Sequence, residues 1–199
     1  VNSITPFIDR MIHEVDCLKH RVEPDSVKKD RYQYISELTA KINQYNEVLT
    51  RWIQMRQGTL NLRITSFALQ PLFDIVQKGK MNFDMKGVEL VVEPTEAVVK
   101  ADRTLTLFMI NTMADNARKF TPQGGRVMVS ASIADAYVEI CITDTGVGMD
   151  DKQLEHVFDR TYTGGHGFGL LNCKGIIEKY KKVSSIFSVS SIFAESELG

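Results

Sequence analysis

Between residues 26 and 57, apolar side chains recur at Ile35, Leu38, Ile42, Tyr45, Leu49 and Trp52, in alternating steps of three and four. That spacing is the seam of a coiled coil or helical bundle. Ser36, Glu37, Lys41, Asn43, Gln44, Asn46, Glu47 and Arg51 lie between those positions and form a solvated face. A second stripe runs through Ile4, Ile8, Met11, Val15 and Leu18. Glu23-Pro24-Asp25-Ser26 separates the two, with Pro24 ending the first helix and Asp25 or Ser26 placed to cap the second. A helical hairpin is therefore predicted. It is lopsided: at 1.5 Å per residue the second helix is about 48 Å long and the first about 28 Å. The turns around Leu49 and Trp52 then need a second subunit, or a first helix that begins before residue 1. Two such hairpins pair into a four-helix bundle, so a homodimer is expected.

After Gly58 the pattern shifts to short β-rich runs, Leu60 to Ile64, Val88 to Val92, Val127 to Ile133 and Val138 to Thr143. Helical stretches, Leu69 to Lys80, Thr104 to Lys119, Lys152 to Phe158 and Phe168 to Tyr180, alternate with them. Ala134-Asp135-Ala136 reads as a hairpin connection. The expected fold is α+β: a helical hairpin over residues 1–57, then an α/β sandwich with a mixed sheet over 58–199.

Composition narrows the function classes. The 199 residues carry 24 basic and 25 acidic side chains, a net charge of -1, without the basic footprint of nucleic-acid or polybasic membrane binders. Cys17, Cys141 and Cys173 lie far apart, which suits a reducing compartment and argues against a disulfide framework or a zinc site. No apolar run approaches the roughly 18 residues that span a bilayer, so direct membrane contact is not expected, as the charge balance leaves no nucleic-acid partner expected. A cytoplasmic location follows, with room for a membrane anchor in a longer parent chain.

Three segments carry candidate chemistry. Asp144-Thr145-Gly146-Val147-Gly148-Met149 follows an apolar strand. A carboxylate at a strand end can accept from an exocyclic amine, and the glycines let backbone approach a flat ring or a phosphate; a plain strand-to-loop turn reads the same way. Gly164-Gly165-His166-Gly167-Phe168-Gly169-Leu170 opens an amphipathic helix, where free N–H groups and the helix dipole favour an anion, or where the glycines form a flexible loop. No Gly-Lys-Ser/Thr ends it, so it is not a P-loop. In Asn111 to Pro122, Asn116 and Lys119 share a face. That face is either solvated or offers an amide oxygen to Mg²⁺ and an ammonium to phosphate.

Taken in order, the helix with Asn and Lys, the Asp-x-Gly-x-Gly strand end, Phe158 and the Gly-x-Gly-x-Gly-Leu run resemble the catalytic domain of sensor histidine kinases. The wider group is the Bergerat-fold (GHKL) ATPases, which includes gyrase, Hsp90 and MutL proteins. The hairpin resembles the kinase dimerisation and phosphotransfer domain, so the resemblance covers nearly the whole chain. It implies ATP and Mg²⁺ as cofactors and a response-regulator receiver domain as partner. Asn116 matches the magnesium-binding asparagine, Lys119 the phosphate-contacting lysine and Asp144 the aspartate that reads the adenine amine. Gly146 and Gly148 match the glycines flanking the base, and Phe158 the aromatic before the ATP lid. Gly165, Gly167, Gly169 and Leu170 match the second glycine motif, with His166 in place of a small polar residue. Asp115 and Phe120 fit the same asparagine motif. Hydrolytic relatives place a glutamate one turn before the asparagine; here that residue is Thr112, which cannot act as a general base at neutral pH. The γ-phosphoryl group is then expected to pass to a histidine rather than to water.

The family's His-Glu-x-x-Thr-Pro motif is matched only at its end, by Thr5-Pro6. The acceptor position therefore falls at Val1 or before it. His13, in His13-Glu14, is the substitute within the chain, but Thr-Pro does not follow it. Only about six residues separate Phe158 from Gly165, a short lid, and the family pattern continues past Gly199 into a last strand. The expected function is an ATP-dependent protein-histidine kinase core. The alternatives are a degenerate kinase that binds nucleotide as a scaffold, an anti-sigma-type serine kinase and a pure interaction protein.

Overall fold

The computed structural model describes residues 5–57, 62–159, 168–183, 185–188 and 190–197. The chain divides into two compact units, Val1–Leu60 and Asn61–Gly199.

The first unit is a pair of packed helices, α1 (Thr5–His20) and α2 (Asp25–Arg56). Asp25 is the first helical residue rather than the cap, so its carboxylate acts within the first turn, against the positive end of the dipole and 3.4 Å from Lys28 Nζ. Leu38 is buried as the seam requires, and Cys17 and Tyr34, which lie outside the two stripes, are buried with it. At the bend, Arg31 donates to both oxygens of Glu23, at 2.6 and 2.7 Å, and also to Glu14 of α1. This planar fork clasps the hairpin. The side chains of Leu49 and Trp52, on which the expected gap rests, lie outside the described residues.

The second unit runs β1 (Ile64–Ala68), α3 (Gln70–Lys78), α4 (Lys80–Asp84), β2 (Glu89–Val92), β3 (Val98–Asp102), α5 (Arg103–Phe120), β4 (Arg126–Ile133), β5 (Val138–Asp144), α6 (Asp151–His156) and α7 (Phe168–Val183). A short 3-10 turn follows at Ser185–Phe187. β2, β4 and β5 form a mixed sheet, with β2 parallel to β4 and β4 antiparallel to β5. β1 and β3 pair separately and antiparallel.

Period-2 alternation sends Val127 and Val129 of β4 inward, with Ile140 and Ile142 of β5 packed beside them. Leu72, Phe73 and Val76 of α3 and Ile110, Ala114 and Ala117 of α5 complete the core. The first strand lies at Ile64–Ala68, later than the expected Leu60 to Ile64, and residues 58–61 are outside the described set. β3 was not anticipated. The single helix expected over Leu69 to Lys80 stops at Lys78, where Gly79 turns the chain into α4.

Candidate functional site

α5 is the backbone of the site. Its first turn is capped by the buried Asp102, whose Oδ1 accepts from Leu105 N at 3.2 Å and whose Oδ2 accepts from Arg63 N at 2.9 Å. The Asp102 N–H in turn donates to the Tyr180 hydroxyl of α7 at 2.7 Å. One carboxylate thus fixes the start of α5 to β1 and, through its own backbone, to α7.

Along α5, Thr112 is buried and its methyl faces α7: a Cβ added at Gly169 would come within 2.8 Å of Thr112 Cγ2. Gly169 therefore allows a helix-helix approach that a larger residue would block. Thr112 also meets the thiol of Cys173, one turn further along α7, whose pKa is pushed up to about 12 by burial. Asn116 follows Thr112 by one turn and is half-buried, and Lys119 beyond it is exposed. The Lys119 ammonium lies 5.0 Å from the centroid of the Phe120 ring.

The C-terminal end of α5 meets the loop after β5. Phe120 O accepts from Val147 N at 3.4 Å, and Asp144, the last residue of β5, accepts from Gly146 N at 2.8 Å through Oδ1. That bond closes a tight turn and orients the carboxylate. A Cβ at Gly146 would stand 2.5 Å from Asp144 Oδ1 and 3.0 Å from Phe120 O, so a side chain there would push the Asp144 carboxylate out of place. Gly148 has a φ of 71°. Met149 N donates to Ser196 Oγ at 2.8 Å, which ties the loop to the last described segment.

α6 is closed by a capping box between Asp150 and Gln153. Phe158 follows it, half-buried. On either side of Phe158, His156 Nδ1 lies 3.0 Å from Asp159 Oδ2, and Lys174 Nζ of α7 lies 3.5 Å from Asp159 Oδ1. The hydrogen bond to Asp159 raises the His156 pKa, and the same bond lowers that of Asp159.

The elements bearing Asn116, Lys119, Asp144, Gly146, Gly148, Gly169 and Leu170 thus converge on α5, with the Asp144 loop at its C-terminal end and α7 at Thr112. Gly165, His166 and Gly167 lie outside the described residues, as does Val1. His13 is an exposed residue of α1 in the other unit, its Nε2 3.7 Å from Cys17 Sγ. Sequence reasoning missed Asp102, Tyr180, Ser196 and Lys86, whose ammonium donates to the carbonyls of Arg118, Lys119 and Thr121 at the end of α5. An aspartate just ahead of a helical run is a capping signal, so Asp102 could have been found; the other three act across distant parts of the chain.

Residues 101–197 match the model of the histidine kinase-, DNA gyrase B- and HSP90-like ATPases. This segment is a histidine kinase-type ATPase domain. The signal transduction histidine-protein kinase BaeS of Escherichia coli is 25% identical over 170 residues, covering 78% of this chain and 36% of BaeS. The histidine protein kinase DivJ of Caulobacter vibrioides is 40% identical over 80 residues, covering 39% of this chain and 13% of DivJ. Among solved structures, the mycobacterial sensor histidine kinase MprB superposes with a TM-score of 0.53 at 26% identity, over 59% of this chain and 80% of that one. The chain spans about a third of the length of BaeS and less of DivJ. The matched segment holds α5, β4, β5 and the Asp144 loop, and the family it matches implies ATP as ligand. No described helix is long and apolar enough to cross a membrane.

Proposed function

We propose that the chain is the core of a sensor histidine kinase, which passes the ATP γ-phosphoryl group to a histidine and then to an aspartate of a response regulator. In this reading the Asp144 carboxylate, oriented by Gly146 N–H, accepts from the adenine amine. Gly146 and Gly148 let the loop lie against the base, and Phe158 is the aromatic ahead of the lid. The Lys119 ammonium meets phosphate, and the Asn116 amide oxygen would hold Mg²⁺. That donor set, one neutral oxygen with the remainder left to phosphates and water, suits a hard ion that keeps much of its own coordination. The ion supplies charge neutralisation on the triphosphate. Gly165, His166, Gly167, Gly169 and Leu170 receive the phosphates at the start of α7.

The observation that carries the reading is Thr112. Its hydroxyl is engaged with Cys173 and its methyl is wedged against Gly169. Neither group can take a proton from water, so a protein acceptor is favoured over hydrolysis. In the transfer, the bond from Pγ to the bridging oxygen of ADP breaks, the unprotonated imidazole nitrogen bonds to Pγ through its lone pair, and the proton on the other ring nitrogen passes to a neighbouring base or to water. The hairpin contributes the dimer, as two copies completing a four-helix bundle.

Incubating the full-length protein with γ-labelled ATP and Mg²⁺ should label a histidine, with the label lost in acid, and the labelling should persist in His13→Gln. Nucleotide binding without label would leave a nucleotide-binding scaffold as the function. Asp144→Asn should weaken adenine-nucleotide binding at least tenfold, and unchanged affinity would remove Asp144 from the site. Deleting residues 1–57 should convert a dimer to a monomer in light scattering.

A further inference from the structure

Lys86 lies in the turn between α4 and β2, outside every motif that marks the site. Its ammonium donates to three carbonyls at the end of α5: Arg118 O at 2.7 Å, Lys119 O at 2.6 Å and Thr121 O at 2.8 Å. An ammonium has three N–H bonds, and all three are used. The neighbouring carbonyls are also engaged. Ala117 O accepts from Thr121 N at 3.0 Å and from Thr121 Oγ1 at 2.7 Å, while Phe120 O accepts from Val147 N. Five consecutive carbonyls, 117 to 121, are thereby satisfied, where a helix end ordinarily leaves its last four without partners.

The division of labour among them is informative. Lys86 takes the carbonyls on both sides of Phe120 and leaves Phe120 O to the loop that follows Asp144. A rotation of the peptides at 119 or 121 would turn Phe120 O away from Val147 N. The backbone around Lys86 is tied to the same place, since Gly124 N donates to Gly87 O at 2.7 Å. Arg118 also reaches back, its guanidinium carbon 5.8 Å from the centroid of the Phe83 ring in α4. A positive charge at this end of α5 also suits the negative pole of its dipole. Desolvation, then the Arg118 charge, lowers the Lys86 pKa.

We propose that Lys86 is a positioning residue of the nucleotide site: by clamping the end of α5, it sets Asn116 and Lys119 in register with the loop from Asp144 to Met149. The proposal rests on the reading of that site as a nucleotide site. Lys86 itself touches neither base nor phosphate; it acts through backbone.

The test compares wild type, Lys86→Met and Lys86→Arg with Val76→Ala, a core change of independent effect on stability. Binding of Mg·ATP and of adenosine is measured by calorimetry at a temperature where circular dichroism shows every variant folded. Hydrogen exchange is read over 144–149 without ligand. Lys86→Met should weaken Mg·ATP binding about tenfold and adenosine binding less, and should speed exchange at 144–149. Lys86→Arg should restore most of both, and Val76→Ala should leave both affinities unchanged. Lys86→Met binding Mg·ATP like wild type, or losing no more affinity than Val76→Ala is found to lose at matched stability, overturns the positioning role while the nucleotide site stands. Wild type failing to bind Mg·ATP overturns the nucleotide reading itself, and the positioning role with it.

Discussion

The hairpin and the ATPase unit hold themselves together by different means. Among the described residues, the hairpin buries Cys17, Tyr34 and Leu38, and relies on the Arg31 clasp to Glu14 and Glu23 at its bend. Among the described residues it also buries two polar atoms without a hydrogen-bond partner, Tyr34 Oη and Glu37 Oε2, against one, Arg118 Nε, in the ATPase unit. The ATPase unit closes a continuous core across α3, α5 and the mixed sheet, and ties its helix ends with Asp102 and Lys86. A repeat of three and four makes helices but supplies only one apolar seam, which two helices of unequal length cannot cover. A sheet with helices on it buries residues from distant parts of the chain. One unit is held locally and the other by long-range contacts, so substitutions in each should register separately.

Phe73→Ala offers the largest contrast. Phe73 is fully buried in α3, and its removal should destabilise the ATPase unit by about 4 kcal/mol. Leu38→Ala in the hairpin should cost about 3 kcal/mol. Calorimetry on the intact chain should show each change in its own transition. A Leu38→Ala variant that lowers both transitions equally would break the comparison, because the two units would then be melting as one.

Asp102→Ala removes the cap of α5 and leaves Leu105 N and Arg63 N without their acceptor. The expected cost is about 2 to 3 kcal/mol, confined to the ATPase transition. Asp102→Asn keeps an oxygen in place and should recover part of it. A loss under about 0.5 kcal/mol would mean that water or a neighbouring group replaces the carboxylate.

The same contrast governs what the sequence discloses. The stripes from Ile35 and from Ile8 place α2 and α1 because helix periodicity is local. The Asp144 loop is legible for a related reason: a carboxylate, two glycines and an apolar strand sit within a few residues. β3 escaped notice because Val98–Asp102 is a five-residue run interrupted by Lys100 and ending in Asp102, and its partner β1 lies thirty or more residues earlier in the chain. Lys86 was equally hidden, since a lysine in a turn carries no signal until the end of α5 is folded beside it. The burial of Tyr34 and Cys17 off the stripes has the same origin: they are chosen by the angle at which two helices meet.

Acid and base should separate the units in opposite senses. The hydrogen bond from Arg31 holds the Glu23 carboxyl below its usual 4.5. Its stabilisation is present above that ordinary value and is lost as pH falls through the lower folded-state value. The His156 pKa is raised above 6.5, so its contribution is full below that value and fades as pH rises through the folded-state pKa. Asp159, lowered from 3.8, sets the acid limit of that pair. Mild alkali should therefore loosen the chain around Phe158 while sparing the hairpin bend, and strong acid should open the bend. NMR titration of the His156 ring resonances should give a midpoint above 6.5, moving down in Asp159→Asn. An unmoved midpoint would remove Asp159 as its cause.

The smallest effect is the sharpest probe of the hairpin. The Tyr34 hydroxyl is buried with no hydrogen-bond partner among the described residues, and a buried polar group left unpaired opposes folding. Tyr34→Phe deletes only that oxygen and keeps the ring, so the hairpin should be unchanged or gain up to about 1 kcal/mol. The measurement is thermal unfolding at several protein concentrations. If Tyr34→Phe instead costs stability, and costs more as concentration rises, the hydroxyl is bonded across to a second copy. The hairpin would then resemble the ATPase unit more than it now does, with its long-range contacts supplied by another chain.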